Sequence, residues 1–286
     1  MSIKIITDST SNIPESLLKE YDVSVVSLSV VFNDEVYKEV EISNEDFYKK
    51  LKESKEMPTS SQPSIEEFYN IFEQSIIEKQ DIIGVFISSD MSGTFSTAHL
   101  AKNMVIEKYP DAKIELLDSR SNCMQLGYAA LIACRLAKEG KSFSDVVEGV
   151  KDNIKRSKFV FIPDTLEYLK KGGRIGSAGA LLGSILQIKP ILTVADGKTD
   201  VLGKVRTKKR AIEKMVDLLI KDIQEFGLGE VIIHHINCEE EAKKLAEYIG
   251  DKIEQVISVC PIGPVIGVHV GPGTVGIAYY TKNDLR

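Results

Sequence analysis

The sequence predicts an α/β protein of two domains, because short apolar strands alternate with amphipathic helices along 286 residues. That length exceeds what one hydrophobic core usually supports. Alternation in the first half predicts a mostly parallel sheet flanked by helices, and a hairpin pattern in the second half predicts a mixed sheet with helices. We expect domains at residues 1–155 and 156–286, with the boundary in the polar run Lys151–Lys158.

Apolar runs between polar turns predict the strands of the first half. They are Lys4–Thr7, Ser24–Val31, Ile82–Ile87 and Lys113–Leu117. Helical spacing predicts Pro14–Glu20, Asn44–Glu53, Ile65–Glu78, Phe95–Lys108 and Met124–Lys138. Ser64, followed by Glu66 and Glu67, predicts an N-cap.

The second half has longer helices and a hairpin signal. Ala195-Asp196-Gly197-Lys198 predicts a turn, because glycine there suits a positive φ. The predicted strands are Phe159–Ile162, Ile188–Val194, Thr199–Val205, Glu230–Ile236, Gln255–Val259 and Thr274–Tyr280. The predicted helices are Thr165–Lys171, Lys208–Phe226 and Glu239–Ile249.

Composition narrows the function classes. The net charge of −6 argues against nucleic acid as a partner, since a basic surface is missing. The apolar stretch Ile175–Val194 is interrupted by Gln187, Lys189 and Pro190, so it falls short of a membrane span. The opening residues lack the apolar core of a signal peptide, and the four cysteines lack disulfide or metal spacing. We therefore expect a cytoplasmic protein whose cysteines pack in the core.

Common catalytic motifs are missing from the sequence, among them the P-loop, GxGxxG after a strand, HExxH and GxSxG. His234 and His235 are adjacent in a predicted strand, where their side chains face opposite ways, so they cannot share one metal. We expect structural roles for this pair.

Three hydroxyl-rich segments are the better candidates for a site. Asp8-Ser9-Thr10-Ser11 and Ser88–Thr94 each follow a predicted parallel strand, and Thr59–Ser64 opens a helix. Loops at the carboxyl ends of parallel strands converge on one crevice, and a helix N-terminus favours an anion. Capping by Ser92 or Thr94 would explain the second segment equally well. Such loops supply donors but no activated nucleophile, which favours binding over acyl transfer.

Two further segments carry cations near glycine or at a helix start. In Gly172–Gly183 the glycines suit either a close backbone approach or, with Arg174, an anion site. The run Lys204–Arg210 holds five cations where they oppose the helix dipole, which suggests a docking surface for an acidic partner or phosphate. His269 lies among glycine, proline and apolar residues that would hold a polar group in place.

These segments together resemble the DegV family, the fatty-acid-binding proteins that serve bacterial fatty acid kinase. The matching pieces, in family order, are Asp8-Ser9-Thr10, Ser60-Ser61-Gln62-Pro63, Ser92-Gly93-Thr94, Leu169–Ile175 and Gly267–Gly273. Each piece is weak alone, but five in order along nearly the whole chain make the match specific. The family commonly has threonine at the position of Ser60.

The resemblance implies a long-chain fatty acid in a buried tunnel between or beside the two domains. It implies these carboxylate-binding residues: Ser60, Ser92, Gly93, Thr94 and His269. Arg174 and Arg206 would lie near the head group or the kinase-facing surface. The fatty acid would be the only ligand, with no metal and no catalytic residue, and a separate kinase would supply ATP chemistry. Contact with membranes would be transient, for lipid exchange.

Two alternatives follow from the residues themselves. One is a phosphotransfer or hydrolytic enzyme that uses the glycine-rich loops for phosphate and His269 as base or phospho-acceptor. The other is a regulatory module that binds a lipid and signals through the basic start of the helix at Lys208. Turnover or phosphohistidine would favour the first, and salt-sensitive binding to an acidic protein the second.

Overall fold

The structure, a computed structural model, describes residues 2–182 and 188–285. The strands are β1 (Ser2–Asp8), β2 (Ser24–Val26), β3 (Ser29–Phe32), β4 (Glu35–Lys38), β5 (Thr59–Ser61), β6 (Gln80–Phe86), β7 (Ile114–Asp118), β8 (Ser157–Ile162), β9 (Lys189–Ala195), β10 (Lys198–Val205), β11 (Leu228–Ile236), β12 (Ser258–Pro261) and β13 (Thr274–Thr281). The α-helices are α1 (Glu15–Glu20), α2 (Asn44–Glu53), α3 (Ile65–Ile77), α4 (Thr94–Lys108), α5 (Cys123–Lys138), α6 (Phe143–Arg156), α7 (Glu167–Lys171), α8 (Lys208–Phe226), α9 (Glu239–Ile253) and α10 (Pro264–Val270).

The first sheet is parallel throughout, in the order β2-β1-β6-β7. Helices α3 and α4 pack on one face and α5 on the other. Successive residues of β1 serve opposite faces, since Ile6 belongs to the core beneath α3 and α4 while Ile5 belongs to the core around α5. The strand order reverses between β1 and β6, and the loops after these two strands flank the resulting crevice, where open α/β sheets bind ligands.

The second sheet is mixed, in the order β10-β9-β8-β13-β11-β12, with only the β11–β12 pair parallel. Helices α8 and α9 cover one face. Helix α5 contacts strands of both large sheets, and eleven of its sixteen residues are buried. Its residues are apolar on nearly all sides, which is typical of a helix buried between layers.

A small antiparallel sheet, β4-β3-β5, was not predicted. Its strand β5 contains Ser60, and α10 packs against both β3 and β5. Helix α10 begins with Pro264 at its first position, where proline is well accommodated, and ends at Gly271 with φ of 85°. This sheet brings the chain near residue 60 against the chain near residue 269.

The predicted fold class is confirmed, with one parallel and one mixed sheet, and most predicted elements match within a few residues. The hairpin β9–β10 is antiparallel, and Asp196 and Gly197 both have positive φ, 47° and 82°, as a two-residue hairpin turn requires. The prediction of one strand over Ser24–Val31 is wrong, because the backbone of Leu28 leaves the ladder. Its amide bonds to Ser9 Oγ at 3.0 Å and its carbonyl to the Glu39 amide at 2.9 Å.

The polar run Lys151–Lys158 forms the end of α6 and the start of β8. Its side chains are polar because much of this helix end is exposed. The run is therefore part of a helix and a strand and does not form a linker. The boundary at 155/156 stays a prediction.

No helix in the described part of the chain is both long and apolar enough to cross a membrane. Residues 183–187 of the stretch Ile175–Val194, including Gly183 and Gln187, lie outside the described residues.

Candidate ligand-binding cavity

A cavity of ≈ 240 Å³ lies where the three sheets and α10 meet. Most of its wall is apolar and deeply buried, including Ile87 after β6, Phe159 and Phe161 on β8, and Val265 on α10. The two phenylalanine rings stack with their centroids 5.1 Å apart. A mostly apolar pocket with few polar groups is the usual form of a small-molecule site.

One end of the cavity is polar and only partly buried. It is formed by Ser60 on β5, Ser92 and Gly93 after β6, Arg174 after α7 and His269 on α10. These five residues come from distant parts of the sequence and meet through the small sheet and the crevice of the parallel sheet. The arrangement offers hydroxyl donors and a positive charge to a ligand whose remainder is apolar.

Ser60 and His269 form a direct pair, with Ser60 Oγ 2.8 Å from His269 Nε2. Burial, together with the nearby Arg174 charge, lowers the pKa of His269 to about 4, so the ring is neutral at pH 7. Its Nδ1 is buried beside Gly172, and the interaction with the Gly172 backbone offsets part of the lowering of the pKa. A Cβ at Gly172 would lie 2.3 Å from Nδ1, so the glycine allows the ring to approach the chain here.

The N-cap residue of α4 is Gly93, without a side-chain cap bond. Ser92 Oγ nevertheless accepts from the Thr94 amide in the first turn at 3.3 Å and lies 2.9 Å from the Thr94 hydroxyl. Gln62 covers Gly93 so closely that a Cβ there would lie 1.9 Å from its Oε1. Gln62 Nε2 donates to Thr97 Oγ1 at 2.6 Å, which joins the end of β5 to α4 and so links the segments that carry Ser60 and Ser92.

Arg174 fastens the loop after β6 to the chain after α7. Its Nε donates to the Met91 carbonyl at 3.1 Å and its Nη1 to the Gly172 carbonyl at 2.7 Å. The guanidinium therefore holds both the Ser92 loop and the backbone beside His269. It supplies charge to the polar end while stabilising the position of that end.

The Asp8-Ser9-Thr10-Ser11 loop lies at the same sheet edge but does not line the cavity. Asp8 is fully buried and accepts bonds from the Thr10 hydroxyl at 2.5 Å, the Thr10 amide at 3.0 Å and the Ile87 amide at 2.7 Å. Burial raises the pKa of Asp8 to about 6 against the opposing effect of these bonds. The Thr10 hydroxyl thus serves the protein's own carboxylate, and Asp8 in turn holds the neighbouring loop through the Ile87 amide. The Ser9 hydroxyl accepts from the Leu28 amide at 3.0 Å.

Sequence reasoning missed Glu39, a second buried carboxyl that braces the site. Its Oε1 accepts from the Val265 amide at the start of α10 at 2.8 Å, and its Oε2 has no partner in the described ranges. Burial raises the pKa of Glu39 to about 7, and the proximity of Asp8 adds to the rise. No local signal marks this residue, because its partner lies 226 positions away.

The remaining predicted residues lie elsewhere. Thr94 is fully buried behind Ser92 and is absent from the cavity wall. Arg206 is exposed between β10 and α8, also away from the wall. Within the basic run, Lys208 bonds to Glu241 at 2.7 Å and to the Gly273 carbonyl at 2.9 Å, so this one lysine stabilises the fold. At Gly176 a Cβ would lie 1.9 Å from the Thr199 carbonyl, which agrees with the expected close backbone approach.

The expected structural roles of the histidine pair are confirmed. His234 is fully buried, with Nε2 accepting from the Met124 amide at 3.2 Å and Nδ1 3.0 Å from the Cys260 carbonyl. His235 Nδ1 accepts from the Cys238 amide. All four cysteines are free thiols and are buried or half-buried. Across residues 2–182 and 188–285, no group of three histidine, cysteine or acidic side chains could hold a metal ion.

Comparisons with known proteins agree with this architecture. A family model described as an uncharacterised protein of the DegV family matches residues 2–282. A DegV domain-containing protein of Clostridium acetobutylicum is 57% identical over 286 residues, with both chains fully covered. The crystal structure of DegV, a fatty acid binding protein from Bacillus subtilis, has a TM-score of 0.88 at 36% identity and covers 99% of this chain and 100% of that one. A stearic acid-binding protein from Eubacterium ventriosum has a TM-score of 0.90 at 26% identity, with 98% of each chain covered.

Proposed function

The chain belongs to the DegV family, and on that premise we propose that it binds one long-chain fatty acid in the cavity and presents the carboxylate to a separate ATP-dependent fatty acid kinase. The observation that carries the proposal is the asymmetry of the cavity, with a buried apolar wall and a half-buried end of hydroxyls and one arginine. The solved relatives described as binding fatty acids support it.

The apolar wall supports the choice of an acyl chain. Burying ~15 methylenes at ~0.8 kcal/mol each gives on the order of 12 kcal/mol of gross stabilisation. Part of this is lost to immobilisation of the ligand and the side chains around it.

The polar end has the donors that a carboxylate needs. An ionised carboxylate leaves water at a large penalty unless hydrogen bonds replace its hydration. The tautomer of neutral His269 sets the direction of its bond to Ser60. In the Nε2–H form the ring donates to Ser60 Oγ and leaves the Ser60 hydroxyl proton for the ligand. Ser92, on the same cavity wall, offers a second hydroxyl, and the Arg174 charge favours the anion. Thr94, behind Ser92, orients its hydroxyl.

The Ser60–His269 pair also resembles the nucleophile and base of a hydrolase, so this alternative has a specific observation behind it. Two features argue against it. A pKa of about 4 makes His269 a weak base at pH 7. In the described part of the chain no carboxylate orients its Nδ1, as the third member of a triad would. We therefore propose a binding protein without intrinsic catalysis.

The half-buried polar end supports presentation to a partner. A carboxylate held there lies near the surface, so a kinase can reach it while the acyl chain stays buried. We propose that exposed Arg206 and the adjacent exposed cations contact that kinase, and that Arg174 stays with the head group. We expect the protein to be cytoplasmic and to load and unload the fatty acid during transient contact with a membrane. We also retain the division into domains at residues 1–155 and 156–286 as a prediction.

The test has two arms. Delipidated protein is titrated with palmitic acid by calorimetry, and we expect one site per chain. The loaded protein is then incubated with ATP, with and without fatty acid kinase, and acyl phosphate is trapped with hydroxylamine. The proposal predicts acyl hydroxamate only when the kinase is present. Saturable binding without any kinase-dependent product would restrict the function to lipid storage or regulation, and ester hydrolysis by the chain alone would favour the enzyme.

A further inference from the structure

Strand β12 forms one edge of the mixed sheet and leaves backbone groups unpaired. Among the described strands it pairs only with β11, in parallel register, with His234 opposite Cys260. The Ile262 amide donates to the His235 carbonyl at 2.8 Å, so Ile262 and Cys260 direct their backbone groups towards β11. The residues between them point the other way, which turns the amide and carbonyl of Val259 outward. Neither group has a hydrogen bond to any residue that the structure describes.

Two depressions meet at this edge, and Val259 lies in the wall of both. One, of ≈ 670 Å³, is bounded by the later turns of α9 and includes the small residues Ala246 and Gly250. The other, of ≈ 710 Å³, is bounded by α2 and by the ends of β11 and β12. Val256, just before β12, is fully exposed. The unpaired edge therefore lies in a concave surface with an apolar side chain beside it, which suits an extended segment of another chain.

The charge along the edge is negative. Six carboxylates and three lysines line the two depressions. Lys243, on the α9 side, is already paired with Glu239 at 3.0 Å and with Glu240 at 3.3 Å. Glu247 and Asp251 on the same side have no ion-pair partner in the described ranges. Complementary charge therefore favours a partner segment that carries lysine or arginine.

A second copy of this chain fits this charge poorly. Pairing of β12 with its own copy would bring the same α9 carboxylates towards each other, and like charges across an interface are unfavourable. The strand is also only four residues long and ends at Pro261, which has no amide proton to donate. The backbone gives only a few hydrogen bonds, so the side chains of the partner must contribute through the two depressions.

We propose that the edge of β12 is a docking site for an extended basic segment of a partner protein, which adds a seventh strand to the six-stranded sheet. The backbone of the segment pairs with the amide and carbonyl of Val259. Its positive side chains lie near Glu247 and Asp251, and an apolar side chain covers Val256. No residue of the two depressions lines the fatty acid cavity, so this inference goes beyond the proposed function and does not depend on it.

The experiment adds a capped hexapeptide of alternating lysine and valine to isotope-labelled full-length protein and follows the Val259 amide by NMR. We expect a saturable shift of its signal and at least about tenfold slower hydrogen exchange, because the amide gains an acceptor. The same peptide with glutamate in place of lysine should leave this amide unchanged. A lysine–valine peptide that is N-methylated at every residue should also fail, since it cannot donate to the Val259 carbonyl.

Charge reversal on α9 tests the electrostatic part of the proposal. D251K replaces an attraction by a repulsion, so it should weaken binding of the lysine–valine peptide about fivefold at low salt. E107K makes the same kind of change at an exposed position on α4 and should leave the affinity unchanged. Both positions are exposed, so neither change should disturb the fold.

Three outcomes would overturn the proposal. The first is the absence of saturable binding of the lysine–valine peptide to the wild type. The second is a peptide that shifts the signals of α9 but leaves the exchange of the Val259 amide unchanged, since it binds by charge without adding a strand. The third is a dimeric mass in sedimentation together with a protected Val259 amide in the absence of peptide, which would place a second copy at the edge.

Discussion

Two hydroxyl-rich loops follow neighbouring parallel strands, and the structure uses them in opposite ways. The loop after β1, Ser9–Ser11, turns inward onto Asp8, whereas the loop after β6 presents Ser92 and Gly93 to the cavity. Both have the composition of an anion site. The difference is the buried Asp8 carboxylate, which takes the Thr10 hydroxyl and amide of its own loop, whereas the Ser92 hydroxyl of the other loop lies on the cavity wall. A hydroxyl-rich loop is therefore a ligand site only where the protein's own acceptors do not take its donors.

The largest effect is expected at Asp8, and it is an effect on the free energy of unfolding. D8A removes the acceptor of two backbone amides, at Thr10 and Ile87, and of one hydroxyl, so it should lower the free energy of unfolding by about 4 kcal/mol. Denaturant unfolding measures this. D34A, at an exposed aspartate, should change stability by less than about 0.5 kcal/mol. Equal effects of the two changes would contradict the bracing role of Asp8.

Glu39, the second buried carboxyl near the cavity, should make the stability of the protein depend on pH. Native protein retains the Glu39 proton up to a pKa of about 7, whereas the unfolded chain releases it near 4.5. The stabilisation from this proton is present below pH 4.5 and is lost as the pH rises to 7. E39Q stays neutral throughout, so its stability relative to wild type should rise by about 3 kcal/mol between pH 4.5 and pH 8. Denaturant unfolding at both pH values tests this, and a constant difference would refute it.

The cavity-facing loop should respond in ligand affinity with little change in stability. S92A removes a donor to a charged group, so fatty acid affinity should fall about tenfold to thirtyfold, while the free energy of unfolding changes by less than about 1 kcal/mol. Calorimetry with palmitic acid measures the affinity. S89A is the matched control in the same loop, because Ser89 bonds to Asp118 and lies outside the cavity. Unchanged affinity in S92A would remove Ser92 from the site.

The smallest effect concerns the histidine at the polar end. Burial and Arg174 lower the pKa of His269 to about 4, so its ring should stay neutral from pH 8 down to pH 5.5. Its NMR ring signals should therefore hardly shift over that interval. His99 lies away from the cavity, and burial lowers its pKa less strongly. Its ring signals therefore provide a reference in the same titration for a histidine that does respond to pH. A midpoint for His269 near 6.5 would mean that the Ser60 pair carries a positive charge.

The sequence was a good guide to elements with strong periodicity and a poor one to long-range contacts. The helices at Asn44–Glu53 and Lys208–Phe226 have the predicted bounds, because caps and amphipathic spacing act locally. The sequence does not predict α10, because the glycines and prolines around His269 are typical of turns, and packing against the small sheet is what makes the segment helical.

In the site, too, some residues could be predicted from the sequence and others depend on long-range contacts. Ser60, Ser92, Arg174 and His269 were proposed from the family resemblance, and the fold brings these four together. The brace by Glu39 had no local signal, because it depends on a contact made only in the folded chain. Arg206 was grouped with them by sequence but lies apart, since nothing in its neighbourhood indicates which surface the loop after β10 would face.

The most direct test of the central claim is the lipid content of the purified protein. Organic extraction and mass spectrometry should recover up to one long-chain fatty acid per wild-type chain, as purified or after incubation with palmitic acid, and clearly less from S92A. A wild-type protein that yields no fatty acid under either condition, although it is folded, would contradict the account.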